Sequence, residues 1–281
     1  MTAPLTIAAV LREAAAKLVP VCDPPQFEAE ALLSHVLEKN RAHLRAWPER
    51  ELSSEQAVRF LALLERRARG EPTAYLTGSR EFWSREFRVT REVLIPRPET
   101  ELLVDLALER LPVERPVRVL DLGTGSGALA VTLALERPLA EVTAVDACPR
   151  ALEVARGNAL RMSAANVRFV LSDWFSAIPE TEFDLIVSNP PYVAAEDPHL
   201  QENGLPFEPI AALAAGTDGL DAIRRIVPAA LFRLAPGGAL LLEHGYDQGA
   251  AVQDLLAEAG FRAVVTHADL QGHPRVTLGG V

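Results

Sequence analysis

Cysteine is nearly absent from this chain. Only Cys22 and Cys148 occur among 281 residues, far apart and in different expected domains. Reduced thiols are the expectation, and a disulfide framework and a cysteine metal cluster are excluded. No run of 18 or more apolar residues exists, so no membrane-spanning helix is expected. The stretch Met1 to Lys17 meets Arg12 and Glu13 early and has neither a basic start nor an apolar signal core. A cytoplasmic protein is the expectation. Positive charge is also short: 28 Lys and Arg stand against 38 Asp and Glu, a net charge of −10. Residues 1–75 are balanced, ten against ten, whereas residues 117–281 carry eleven basic and twenty acidic side chains. That field repels a polyanion, and no local basic strip offsets it. Nucleic acid is therefore disfavoured as a substrate. Repeats and low-complexity tracts are missing as well.

What remains is globular: 49% hydrophobic and 23% charged, long enough for two domains. Residues 1–75 read as a bundle of four short helices. One spans about Ile7 to Leu18. A second places Ala29, Leu32, Leu33, Val36 and Leu37 on one face. A short one follows Asn40. The fourth opens with the capping-box pattern Ser53-Ser54-Glu55-Gln56 and is expected to bury Ala57, Phe60, Leu61, Leu64 and Ala68. This part carries no recognisable chemistry; it suits either docking of a protein partner or stabilisation. Residues 76–98 form a connector, with a hairpin suggested by Phe82, Trp83, Phe87 and Val89. Pro98 suits a helix start running to about Arg110. Arg97 and Glu99 either face a site or cap that helix, and the sequence alone favours the cap.

From Val117 onward, strands and helices alternate, as in a sheet of α/β type. Strands are expected at 117–120, 142–145, 167–171, 183–188, 239–243, 261–266 and 276–278, with a long loop at 193–218 and a turn at Pro236-Gly237-Gly238. The catalytic domain is placed at 99–281.

Chemistry gathers at the carboxyl ends of these strands, where open α/β sheets hold ligands. After the first comes Asp121-Leu122-Gly123-Thr124-Gly125-Ser126-Gly127, whose glycines let a ligand approach the backbone. Asp146 ends the second and can accept both hydroxyls of a ribose. Asp173-Trp174 follows the third, an acceptor and an aromatic face for adenine. Gly123 to Ala128 also fits a dinucleotide pattern, so a nicotinamide oxidoreductase has to be considered. Asp121 suits a ligand ammonium and is badly placed for a pyrophosphate, which favours S-adenosyl-L-methionine. After the fourth strand stands Asn189-Pro190-Pro191-Tyr192. The Asn189 amide oxygen and the Pro190 carbonyl can each accept one N–H of a flat NH2 group, the prolines fix that carbonyl, and Tyr192 can stack on the flat face.

These residues carry a resemblance. Arg66 to Pro72, Leu76-Thr77-Gly78, Arg80 to Trp83, Leu94 to Glu101, Asp121 to Gly127, Ser172 to Phe175, Ser188 to Tyr192, Phe207-Glu208-Pro209 and Leu241 to Gly245 are similar to the glutamine-N5 methyltransferases of class I peptide chain release factors, the HemK/PrmC type. The likeness spans nearly the whole chain, including the end around Asp269 and Arg275. It implies a seven-stranded, Rossmann-like class I methyltransferase domain behind a helical bundle and a hairpin. It implies S-adenosyl-L-methionine as donor, S-adenosyl-L-homocysteine as product, and the glutamine of a Gly-Gly-Gln loop as acceptor. Gly123, Thr124, Gly125, Ser126, Gly127, Asp146, Trp174 and Asn189 are then donor contacts, and Asn189, Pro190, Pro191 and Tyr192 hold the glutamine. The tetrapeptide by itself also admits adenine-N6 methylation of nucleic acid, which requires the base to be flipped out.

Overall fold

The computed structural model describes residues 5–179, 182–202 and 204–281. Residues 1–4 of the N-terminal stretch and residue 203 of the expected loop lie outside the described residues. Internal contacts divide the chain into Met1–Ser79 with Gln201–Phe207, and Arg80–Leu200 with Glu208–Val281.

The smaller unit holds α1 (Ile7–Leu18), α2 (Pro25–Leu37), α3 (Arg41–Ala46), α4 (Ser54–Ala68) and α5 (Thr73–Thr77). Side chains satisfy the orphan N–H groups at three of the helix starts. Asn40 accepts from the His43 amide, and Ser53 and Gln56 complete the reciprocal capping box that their spacing predicts. Ile7, Ala14, Leu18, Leu32, Leu33 and Phe60 form the core of this unit. Two details depart from the sequence reading. Leu61 is half exposed, because its neighbour Phe60 takes the buried stripe and Leu61 sits about 100° further round the helix. The fifth helix was not expected; it is a single turn that starts after Pro72 and ends at Gly78, whose φ of 78° supplies the left-handed cap.

β1 (Ser79–Phe82) and β2 (Arg85–Arg88) form the expected hairpin, which belongs to the larger unit from Arg80 onward. Trp83 and Ser84 both have positive φ, as a tight two-residue turn demands. Phe82 and Phe87 meet edge to face at 6.0 Å and are buried with Leu103 and Ala107 of α6 (Glu101–Arg110).

The seven expected strands make one sheet: β3 (Val117–Leu122), β4 (Ala140–Asp146), β5 (Val167–Leu171), β6 (Phe183–Ser188), β7 (Leu234–Glu243), β8 (Arg262–Ala268) and β9 (Pro274–Gly280). Their order is β5-β4-β3-β6-β7-β9-β8. The strands from β5 to β7 are parallel, and β9 runs antiparallel to both β7 and β8. Strands covered on both faces read as near-continuous apolar runs. Accordingly Val119, Val142, Leu185 and Leu241 pack on one side with α6 and α7 (Ala128–Glu136), which lies beside α8 (Pro149–Met162). Leu120, Val145, Ile186 and Leu240 pack on the other with α9 (Asp221–Leu231) and α10 (Gly249–Ala259). The expected turn at Pro236-Gly237-Gly238 is instead an irregular stretch inside β7. Pairing resumes after a register shift between Phe183 and Leu185, so Leu234 already faces Phe183. Between β3 and β6 the winding of the sheet reverses, which opens a crevice above the carboxyl ends of both strands.

Candidate active site

The crevice floor is the turn after β3. The amides of Gly123 and Thr124 both donate to the Val145 carbonyl, at 2.9 and 2.8 Å, which folds the turn onto the end of β4. Gly127 has φ +83°, and a Cβ there would stand 3.1 Å from the Ala155 Cβ. Its bareness lets α7 and α8 approach, and it is not on the cavity surface. Asp146 braces the turn: Oδ2 accepts from the Gly125 amide at 2.9 Å and Oδ1 from the Cys148 amide at 2.8 Å. Burial raises its pKa, and those amides oppose the rise.

Asp121 departs from the expectation. It is fully buried and does not reach the cavity, so it cannot meet a ligand ammonium directly. The Thr124 hydroxyl donates to its Oδ2 at 2.7 Å, and Oδ1 has no hydrogen-bond partner. Burial pushes the carboxyl up to about 7, with Thr124 acting against it. Thr124, one layer nearer, lines the cavity.

After β5, Ser172 ties the strand end to Asp146 through its amide at 3.0 Å. Its hydroxyl donates to the Trp174 carbonyl at 2.7 Å. Trp174 adopts φ 49° and lays its ring against Gly123, where a Cβ would lie 3.6 Å away. Asp173 is on the cavity rim, and Arg225 pairs with it at 2.7 Å.

After β6, the Ser188 hydroxyl donates to the Leu122 carbonyl at 2.7 Å, drawing the tetrapeptide toward the glycine turn. Asn189 donates an amide hydrogen to the Thr100 hydroxyl oxygen at 3.0 Å. Asn189 and Pro191 line the cavity, whereas Pro190 and Tyr192 do not. The Tyr192 phenol donates to Glu243 at 3.3 Å, which anchors the end of the tetrapeptide. Glu243, at the end of β7, is fully buried, and burial pushes its carboxyl up to about 7. The hydroxyl of Thr100, Arg275 and the phenol of Tyr192 draw it back.

The connector contributes more than its sequence suggested. Arg97 makes no side-chain cap bond. It lines the cavity and pairs with Glu208, whose other oxygen accepts from the Ile95 amide at 3.0 Å. Thr100 lines the cavity too. Sequence reading gave no role to Thr100 or Glu243; the signal available was the runs Leu94 to Glu101 and Leu241 to Gly245, quoted for their resemblance and not for their chemistry.

These groups enclose a cavity of about 640 Å³, within the size range of small-molecule sites. Gly123 to Ser126, Asp146, Trp174, Thr100, Asn189 and Pro191 all line it. Val93, Leu94 and Leu129 supply apolar wall. The two arginines on its surface, Arg97 and Arg225, are both engaged by carboxylates. Glu92, Asp146, Asp173 and Asp221 also line it, four carboxylates against two guanidiniums, with Arg150, Arg225 and Arg224 paired to Glu92, Asp173 and Asp221. A pyrophosphate finds poor electrostatics here, and a cationic ligand finds good ones.

Comparison with known proteins agrees with this geometry. Residues 9–78 match the model of the PrmC N-terminal domain, and residues 100–203 that of the methyltransferase small domain. The chain is 49% identical over 257 residues to the release factor glutamine methyltransferase of Salmonella typhimurium, covering 92% of each. It is 48% identical over 269 residues to that of Escherichia coli, covering 96% of each. Among solved structures, a methyltransferase from Pyrococcus furiosus superposes with a TM-score of 0.53 at 19% identity, over 71% of this chain and 89% of that one; it speaks for the fold alone.

Proposed function

The chain belongs to the release factor glutamine methyltransferase family, a family of S-adenosylmethionine-dependent enzymes, and from that premise we propose its reaction in full. It transfers a methyl group from S-adenosyl-L-methionine to the N5 side-chain amide of the glutamine in the Gly-Gly-Gln loop of class I peptide chain release factors. The product is S-adenosyl-L-homocysteine, and the reaction belongs in the cytoplasm, where release factors act. The carrying observation is the shared cavity: Asn189, its N–H side occupied by Thr100, stands in the same enclosure as the glycine turn and Asp146.

The donor fits what the residues offer. The acidic lining and the carboxyl of Asp146 suit a cation bearing a ribose, and the Trp174 side of the cavity suits an adenine. Gly123, Thr124, Gly125 and Ser126 bring backbone close to it, with Gly127 keeping the turn tight. When bound, the donor supplies an electrophilic methyl carbon. The chain's own part lies with the acceptor. An amide nitrogen is a weak nucleophile, its lone pair being delocalised into the carbonyl. Asn189 Oδ1 accepts one of its N–H groups, which fixes the nitrogen's direction and raises its electron density. Pro191 walls the site, and Tyr192 pins the tetrapeptide from behind. The apolar wall keeps water from competing for the same acceptors. The helical unit helps to seat the large protein substrate.

The acidic cavity and the net charge weigh against adenine methylation in nucleic acid and against a nicotinamide dinucleotide. The test is incubation with methyl-labelled donor and a release factor, either wild type or with the Gly-Gly-Gln glutamine replaced. Label enters the first and not the second. Label that survives the replacement points to another acceptor.

A further inference from the structure

Strand pairing stops where the tetrapeptide begins. The registers of β6 with β3 and with β7 both end at Ser188. Beyond that point the backbone groups need partners outside the ladder, and side chains can supply them. Asn189-Pro190-Pro191-Tyr192 is also stiff, since each proline fixes its own φ. A displacement at Tyr192 is therefore carried back to Asn189. Whatever holds the Tyr192 backbone bears on where the Asn189 amide points.

That hold comes from Gln248, in the turn between β7 and α10. Gln248 stands at the N-cap of α10 yet makes no side-chain cap bond. Its amide reaches across the strand ends instead. Oε1 accepts from the Gly245 backbone amide at 2.8 Å. Nε2 donates to the Tyr192 carbonyl at 2.9 Å and to the Asp218 carbonyl at 3.1 Å. A carboxamide has two hydrogens to give, and both are used. The partners also fix which way round it lies. A backbone N–H only donates and a carbonyl only accepts, so a flipped amide breaks all three bonds. The clamp has no slack: a Cβ on Gly219 would stand 2.1 Å from the Tyr192 carbonyl oxygen and 2.7 Å from Gln248 Nε2. We propose that Gln248 is a positioning residue for methyl transfer. By tying the Tyr192 carbonyl to the turn after β7 and to the loop before α9, it sets the stiff tetrapeptide and with it the direction of the Asn189 amide. This rests on the reading that Asn189 grips the acceptor amide.

The surroundings make a glutamate at this position informative. Asp247 Oδ1 lies beside the same turn, 3.1 Å from where a Gly245 Cβ would be, as Gln248 Oε1 lies 3.0 Å from it. The Asp218 carboxylate is held by Arg224 at 2.5 and 2.8 Å. The buried His244 ring is committed: Nδ1 donates to the Gly245 carbonyl and Nε2 meets the Thr277 hydroxyl, both at 2.8 Å. Arg275 of β9 donates to the His244 carbonyl at 3.4 Å, and the Tyr192 phenol is spent on Glu243. A carboxylate replacing the Gln248 amide keeps the Gly245 bond but sets negative oxygen against two carbonyl oxygens, with Asp247 and Asp218 close by. Those neighbours favour its protonated form. Once protonated it has a hydrogen to give, and the nearer carbonyl, that of Tyr192, takes it.

The experiment compares wild type with Gln248→Met and Gln248→Glu in the intact protein. It measures kcat against pH on a release factor, with calorimetric titration of S-adenosyl-L-methionine as a second readout. Methionine keeps the length of the side chain and loses all three bonds. Gln248→Met lowers kcat on the order of tenfold or more, the scale of a small misplacement of reacting groups. Its kcat relative to wild type is the same at every pH. Gln248→Glu is impaired at about pH 8, and its kcat relative to wild type climbs several-fold toward about pH 5.5 as the carboxyl regains a hydrogen. Donor affinity stays within a few-fold in both, which also reports that they fold. A Gln248→Met enzyme with wild-type kcat overturns the proposal. So does a flat ratio in Gln248→Glu, and so does donor affinity that falls in step with kcat, because the residue then braces the fold at large. If Asn189→Ala abolishes transfer while Gln248→Met does not lower it, only this inference fails; if Asn189→Ala remains active, the reading beneath it fails as well.

Discussion

A buried carboxylate is destabilising unless it is fully paired, and Asp121 has one hydroxyl and an unpartnered oxygen. Its pKa, about 7 in the fold against 3.8 ordinarily, has a definite sign in stability. Between those values the folded chain holds a proton that the unfolded chain has lost. Stability from this group therefore falls as pH rises through the interval, and above it the fold carries a buried charge that the Thr124 hydroxyl and the Ala130 backbone offset only in part. Asp121→Asn removes the liability. It is expected to raise the thermal midpoint of the ligand-free protein at pH 8 and to do little at pH 4. Calorimetric melts at the two pH values check this; an equal gain at both contradicts it. At this scale the sequence was legible where type and spacing agree. Asp146, the glycines at 123 and 125, Trp174 and Asn189 all converge on one crevice. Asp121 was misplaced because nothing in its neighbours tells which face of β3 it points from. Thr100 was missed because its partner lies 89 positions away, across a sheet order that no local pattern reveals.

At the scale of elements, function depends on strand ends brought together. Gly219 shows how tightly the tetrapeptide is held. It has φ +77°, and a Cβ there would overlap the Tyr192 carbonyl oxygen at 2.1 Å. That carbonyl also accepts from the Gln248 side chain at 2.9 Å. Gly219→Ala must shift Tyr192, and it is expected to cut methyl transfer at least tenfold while leaving donor affinity near wild type, since a small misplacement of reacting groups is costly. Parallel measurement of kcat and donor affinity tests this; unchanged kcat counts against it. The core strands were readable from continuous apolar runs between turn residues. The start of β7 was not, because Pro236-Gly237-Gly238 carries every local sign of a turn and only pairing with β6 keeps it in the sheet. The single turn of α5 is too short for any periodicity.

At the scale of the molecule, a balanced helical unit accompanies a strongly acidic catalytic part. We assign the helical unit to recognition of the protein substrate, so most of the acceptor's affinity comes from surfaces away from the Gly-Gly-Gln loop. A short Gly-Gly-Gln peptide is then expected to show a KM at least 100-fold above that of the intact factor, with donor affinity the same in both assays. Equal KM values remove the docking role. The division into a helical start and an α/β remainder could be read from hydrophobic periodicity. What the helical unit touches could not, because a docking surface leaves no period in the sequence.

The central claim is that Asn189 directs a methyl group onto one glutamine side chain. Tandem mass spectrometry of a release factor treated with donor and enzyme locates the modification to a single residue. The account predicts one methyl on the amide nitrogen of the Gly-Gly-Gln glutamine with wild-type enzyme, and none with Asn189→Ala despite normal donor binding. A methyl found on any other residue, or on that glutamine with Asn189→Ala, contradicts it.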